Sequence, residues 1–242
     1  MSGRPVPDPG FAGDAGEADP ALARALADHA AGHVDTYAVH AALSAARVLV
    51  PVVAVPSEPG REPASGQGSE PSTDMAVVTL VGRDGSRALP VFTCTDTLAG
   101  WRADARPVPV EARHAALAAY AEDARAVLVD PGGPVRHVVS GPALRALAEG
   151  RPHLPPAADP DVTAAVARAL DGLEGLVGHR LEPSQDQDVR VVLEAAPGGD
   201  PATTARVAHA AAERLRAEDV LRARLGAGVE VAVEGLSRAP DR

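Results

Sequence analysis

The chain has 242 residues, 23 basic side chains against 33 acidic ones and a formal charge of −10; the basic residues are all arginine. Five aromatic residues on so acidic a chain give neither the basic footprint nor the stacking platform of a nucleic-acid binder. One cysteine excludes an internal disulfide and a Cys-rich zinc site, and no apolar run approaches the ~20 residues of a spanning helix.

Asp19-Pro20 is a helix start, with Asp at the N-cap and Pro at the first position. Leu22 and Leu26 follow at helical spacing, and Gly32 ends or kinks this helix. A second helix is expected from Asp35 to Ala46, with Tyr37, Val39 and Leu43 as its apolar positions. Val48–Val55 is a nearly continuous valine run, as in a buried strand, although Pro51 argues for an edge position or a bulge. Met75–Val81 predicts another strand, Arg83-Asp84-Gly85-Ser86 a hairpin turn, and Ala88–Thr93 the returning strand.

Thr93 is expected to cap a short helix, with Asp96 three residues later and Leu98 and Trp101 as its apolar contacts. A short strand at Pro107–Val110 precedes a helix at Ala112–Asp123, with Ala116, Leu117 and Tyr120 expected inward. Ala126–Val129 is a strand, Asp130-Pro131-Gly132-Gly133 turns the chain, and Val135–Val139 returns. Ser140 then caps a helix with Pro142 early in it and Leu144 and Leu147 inward.

Farther on, Val162, Val166, Ala169, Leu170 and Leu173 mark an amphipathic helix. Strands follow at Leu176–Leu181 and Val189–Glu194, then a long helix from Gly198-Gly199-Asp200-Pro201 to about Leu225, then a strand at Val229–Val233. The order of this part is α-β-β-α-β.

Three segments read as unstructured: residues 1–17, 57–74 and 151–160, each rich in Pro, Gly, Ser or acidic residues. The first carries Asp8, Asp14 and Glu17 against Arg4, and the second Glu58, Glu62, Glu70 and Asp74 against Arg61. Half of the net charge therefore lies outside the patterned regions, and no acidic binding face is implied. The organisation is a disordered tail (1–17), a domain over 18–150 containing a flexible loop (57–74), a Pro-rich linker (151–160) and a second domain over 161–242. The fold class is α+β, two small mixed α/β units joined by the linker. No signal peptide is visible at the N-terminus, and a single thiol fits a reducing compartment, so a cytoplasmic protein is expected.

The stretches Ala46–Val53, Asp84–Thr93 with its Leu89-Pro90-Val91-Phe92-Thr93, Leu98-Ala99-Gly100-Trp101, Arg106–Val110 and Val127–Pro134 together resemble the N-terminal domain of the SseB family, especially its actinobacterial members. The likeness covers roughly residues 20–150, and the part after the linker resembles the family's C-terminal region more weakly. The resemblance implies an α+β fold and supplies no catalytic motif and no cofactor. The family name describes a serine-sensitivity phenotype, so a small-ligand sensor linked to amino-acid metabolism is a third idea that rests on the name alone.

Cys94 is the sharpest single candidate site. At a helix N-terminus, free amides and the helix dipole stabilise a thiolate, so Cys94 could act as a nucleophile or redox sensor. The plainer alternative is a small residue packed at a strand–helix junction. His29 and His33, at i and i+4, could present two imidazoles to a metal, with Asp28, Asp35 and His40 nearby, but Gly32 favours a corner between helices. Asp186 and Asp188 lack the glycine and terminal Glu of an EF-hand and read as a solvated hairpin turn. Neither Gly-rich turn has a phosphate-loop pattern, and Thr203 and Thr204 carry no specific signal. Arg206, Arg214, Arg216, Arg222 and Arg224 alternate with Glu213, Glu218 and Asp219 as a solvated helix face or a docking face.

Two functions follow. The first is a non-catalytic interaction or regulatory module, with a partner protein or a second copy held at an exposed apolar patch or strand edge, and with no cofactor, nucleic acid or membrane. The second is a thiol-dependent enzyme or redox switch built on Cys94.

Overall fold

A computed structural model describes residues 11, 13–56, 73–197 and 200–234. The chain is α+β and divides into two compact units, Met1–His153 and Leu154–Arg242. The boundary falls inside the expected linker. Pro156–Ala158 forms a 3-10 turn with Pro156 buried, and Asp159, 4% exposed, caps the next helix.

In the first unit, α1 (Pro20–Ala30) begins where the Asp19 carboxylate accepts the Ala21 and Leu22 amides at 2.8 and 2.9 Å. Asp35 likewise caps α2 (Thr36–Ala45) through the Ala38 amide at 3.0 Å. Leu22 and Leu26 of α1 and Val39 and Leu43 of α2 are fully buried, each contributing about 2 kcal/mol. β1 (Arg47–Pro56) follows, then β2 (Thr73–Val77), β3 (Leu80–Val81) and β4 (Arg87–Val91). Residues 57–72 of the expected loop lie outside the described residues, whereas Thr73 and Asp74 begin β2. The strand expected over 75–81 is split between two sheets, β2 pairing with β1 and β3 with β4.

After β4 come α3 (Thr95–Trp101), β5 (Arg106–Glu111), α4 (Ala112–Ala121), β6 (Ala126–Val129), β7 (His137–Ser140) and α5 (Gly141–Glu149). One sheet has the order β2-β1-β5 and the other β3-β4-β6-β7, with β4 and β6 parallel. Leu49 and Phe92 exchange both backbone hydrogen bonds, at 2.8 and 2.9 Å, and stitch the two sheets together.

Pro51 is therefore central, not at an edge. The Leu49–Phe92 bonds show that odd-numbered residues of β1 turn their amides away from β5. The pairs Leu49–Pro109 and Pro51–Pro107 are thus non-hydrogen-bonded pairs, in which no ladder bond is lost. Pro107 and Pro109 direct their hydrogen-less nitrogens to the free side of β5.

The helices α1, α2, α4 and α5 cover one face of these sheets, where Leu89, Val91, Val127, Val129 and Val139 point. Phe92, Leu98, Leu49 and Trp101 form a smaller cluster apart from it. Helix α4 packs through Ala112, Ala115, Ala116 and Ala119, all buried. Methyl-sized side chains let its backbone approach α5 and β4 closely, which leaves Leu117 and Tyr120, expected inward, 43% and 46% exposed.

The second unit comprises α6 (Pro160–Leu170), β8 (Leu176–Glu182), β9 (Val189–Ala195), α7 (Pro201–Ala217), α8 (Asp219–Arg224) and β10 (Val229–Glu234). Its sheet has the order β10-β9-β8, with β9 and β10 parallel across the helical crossover and β8 antiparallel. Val189, Val191 and Leu193 meet Val162, Val166, Ala211 and Leu215 in the core. On the opposite face Arg180 bridges Glu182 at 2.8 Å and Glu234.

The single long helix expected to reach Leu225 is broken at Glu218, whose ψ of 117° leaves the helical region. The Arg222 guanidinium donates to the Arg216 and Ala217 carbonyls at 3.2 Å each, satisfying acceptors that the break exposes. Arg214 does the same for the end of α6 through the Asp171 carbonyl at 2.9 Å. These two arginines close helix ends while staying exposed on the solvated face. The Gly198-Gly199 turn lies outside the described residues. Among the described residues, no helix is long and apolar enough to cross a membrane.

Candidate functional site

Thr93 and Cys94 lie between β4 and α3, beside the turn that follows β6. Asp130, at φ 48°, is 5% exposed, and its carboxylate faces Thr93. Its Oδ1 accepts the Thr93 amide at 2.9 Å and its Oδ2 the Thr93 hydroxyl at 2.7 Å, while the Thr97 hydroxyl donates to Oδ1 at 2.9 Å. Thr93 is thus a ligand of a buried carboxylate and not the cap of α3. Cys94 holds the cap position, without a side-chain cap bond. The Arg47 guanidinium donates to the Thr93 carbonyl at 2.8 Å, to the Glu17 carbonyl at 2.6 Å and to the Asp14 carboxylate. That pairing holds the Asp14 carboxyl below its ordinary range.

The Thr95 amide completes the tie by donating to the Gly16 carbonyl at 2.9 Å. Asp14, Gly16 and Glu17 of the segment expected to be a disordered tail bond to Arg47 of β1 and to Thr95 of α3. Residues 1–10 and 12 of that tail lie outside the described residues.

Cys94 is half-buried, and its thiol donates to the Thr97 hydroxyl at 3.6 Å. Helix α3 is seven residues long. The surroundings are hydroxyls and a carboxylate, a set that suits hydrogen-bonded packing of the strand–helix junction.

His29 and His33 do not converge. Helix α1 stops at Ala30, and Gly32, at φ 75°, turns the chain. His33 is 72% exposed beside Asp28. His29 instead joins three histidines from distant parts of the unit. Its ring centroid is 5.3 Å from that of His137 on β7, His137 is 5.5 Å from His40 on α2, and His40 is 5.0 Å from His153 after α5. Tyr37 stacks on His153 at 5.0 Å. The Nε2 atoms of His40 and His137 are 3.4 Å apart. His29 Nδ1 donates to the Val34 carbonyl at 3.1 Å, since a carbonyl can only accept.

Burial pushes His40 down to about 4, with the other three imidazoles adding to the effect and Asp35 opposing it. Burial also lowers His137, helped by His29. His137 was not singled out, although its alternation with Val139 toward the core face is a signal that could have marked it. His153 has no such signal, because it falls in the segment read as linker. Among the described residues, no group of three or more His, Cys, Asp or Glu side chains is arranged to hold a metal ion.

The face of the four-stranded sheet opposite the main core bears Leu80, Ala88, Leu128 and Val138. Pro90, Leu128 and Val138 stand in one row across β4, β6 and β7. Val138 is 55% exposed there, and Val81 at the β3 edge is 69% exposed.

In the second unit Asp186 is exposed in the β8–β9 hairpin, whereas the half-buried Asp188 carboxylate is also engaged by the backbone. Its Oδ2 accepts three successive amides, from Gly226, Ala227 and Gly228, at 2.8, 2.6 and 2.8 Å. These amides form an anion-binding nest that the protein fills with its own side chain. A pocket of about 630 Å³ adjoins this loop, floored by Leu215, Leu221 and Val229 and rimmed by Arg216 and Arg222.

Together these features define an α+β protein of two helix-on-sheet units, the first held by an internal carboxylate and carrying a partly bare apolar sheet face. The model of the SseB protein N-terminal domain matches residues 22–146, and the chain belongs to the SseB family. No curated protein and no solved structure matches the chain.

Proposed function

We propose that this protein is a non-catalytic interaction or regulatory module that docks a protein, a partner chain or a second copy of itself, on the outer face of its four-stranded sheet. The exposure of Val138 beside half-buried Leu128 carries this reading, Pro90 at the far end of the row being already buried. An apolar sheet face gains stability by leaving water, and each such side chain covered is worth about 1–2 kcal/mol. The polar groups around Cys94 are engaged with one another: the Asp130 carboxylate accepts from Thr93 and Thr97, and Cys94 is bonded to Thr97. In the same reading the protein is cytoplasmic and of the actinobacterial type of the family, and residues 161–242 correspond to the family's C-terminal region.

Native mass spectrometry of the full-length protein purified from its own host tests the proposal. The wild type is expected as a dimer or with a bound protein, and Val138→Asp as a bare 24.6 kDa chain. A bare wild-type chain, or an assembly that Val138→Asp leaves intact, refutes the docking face.

A further inference from the structure

We propose that the four-histidine cluster is an acid-released latch that holds the α1–α2 pair against β7. Four elements meet there: His29 ends α1, His40 lies in the middle of α2, His137 opens β7 and His153 follows α5. The ring separations of 5.0–5.5 Å leave no room for mutual avoidance if the rings are charged. With neutral rings, one Nε2–H of the His40–His137 pair faces the other ring's lone pair across 3.4 Å. Protonating both rings turns this contact into two opposed N–H groups.

His40 faces a second obstacle. Its Nδ1 is buried without a hydrogen-bond partner among the described residues. A charged imidazole carries a proton on both nitrogens, so charging His40 places at least one donor where nothing accepts it. The charged and titratable groups that act on His40 are His29 from α1, His137 from β7, His153 from the segment after α5, and Asp35 from the start of its own helix. Three of these four oppose a positive charge once protonated. Asp35, at the helix cap, is the one that favours it.

The sign follows from linkage. In the unfolded chain His40 protonates near 6.5; in the folded unit it does so only near 4. Between those values the unfolded state binds the extra proton, so stability is full above pH 6.5 and falls as the pH drops toward 4. His40 alone weakens the closed state about twentyfold between pH 7 and pH 5. His137, lowered in the same direction, adds to this.

Amide exchange of the full chain, corrected for intrinsic rates, tests the latch alongside NMR titration of the histidine rings. Protection over residues 20–45 and 137–140 is expected to fall about twentyfold from pH 7 to pH 5, while β9 in the second unit keeps its protection. In the ring titration His40 is expected to remain neutral at pH 5. The variants His40→Gln and His137→Gln are expected to flatten the pH dependence where they fold, and the wild-type measurements stand without them. Unchanged protection between pH 7 and pH 5 overturns the latch, as does His40 titrating near the ordinary 6.5. A rise in protection at pH 7 on adding equimolar Zn²⁺ also overturns it, by making the cluster a metal site.

Discussion

Thr93 gives Asp130 both its backbone amide and its hydroxyl, one to each oxygen of the carboxylate, at 2.9 and 2.7 Å. The two residues end the parallel strands β4 and β6, so a single buried side chain fixes where both strands stop. The Asp130 amide returns a bond to the Val91 carbonyl at 2.9 Å, closing the connection.

Replacing Asp130 with alanine leaves the Thr93 amide buried without its acceptor and places an unsuited residue at φ 48°. A loss of about 3 kcal/mol is expected, and about half of that for Asp130→Asn, which keeps the shape and one acceptor oxygen. Urea unfolding followed through Trp101 measures it. Trp101 is the single tryptophan and lies 5.2 Å from Phe92, inside the affected region.

Arg47→Ala releases Asp14 and the Glu17 carbonyl together. The expected cost is about 1–2 kcal/mol, with cleavage by a Glu-specific protease after Glu17 at least several-fold faster. Arg47 holds the Asp14 carboxyl below its ordinary 3.8, so the tie is intact above that value and is lost as the pH falls below it. Cleavage that is equally slow in the variant contradicts this anchoring role.

Asp188→Ala strips one acceptor from three amides. Exchange of the Gly226, Ala227 and Gly228 amides is expected to accelerate at least tenfold, and the second unit to lose about 1–2 kcal/mol. Asp188→Asn retains part of the protection, because its amide oxygen still accepts.

Cys94 donates to a hydroxyl and caps a seven-residue helix. Its reaction with a disulfide reagent at neutral pH is expected to be no faster than that of cysteine in an unstructured peptide. Cys94→Ser is expected to change stability by less than about 1 kcal/mol. Alkylation well above the peptide rate restores the thiol-dependent reading.

Much of the fold was legible because local chemistry and global packing agree. Asp19-Pro20 and Asp35 cap the helices they announce, and the valine run of β1 lies in the sheet as its pattern implies. The misreadings arose where tertiary contacts decide. Leu117 and Tyr120 lose the core to four alanines because close backbone approach favours small side chains. Pro51 is tolerated mid-sheet because the pairing phase turns its nitrogen away from β5, and phase is invisible in one strand's sequence. Thr93 looks like a helix cap because its true partner, Asp130, is 37 residues distant. The histidine cluster was illegible for the same reason: its members come from four elements, and His153 sits in a stretch whose composition reads as linker.

At Pro107 and Pro109 the outer side of β5 offers an approaching strand carbonyl acceptors but no amide donors. A second chain extending the sheet there loses two ladder bonds, so the prolines blunt this edge against templated fibril growth. Threonine at either position would restore an amide donor and with it a point where an unwanted strand can attach.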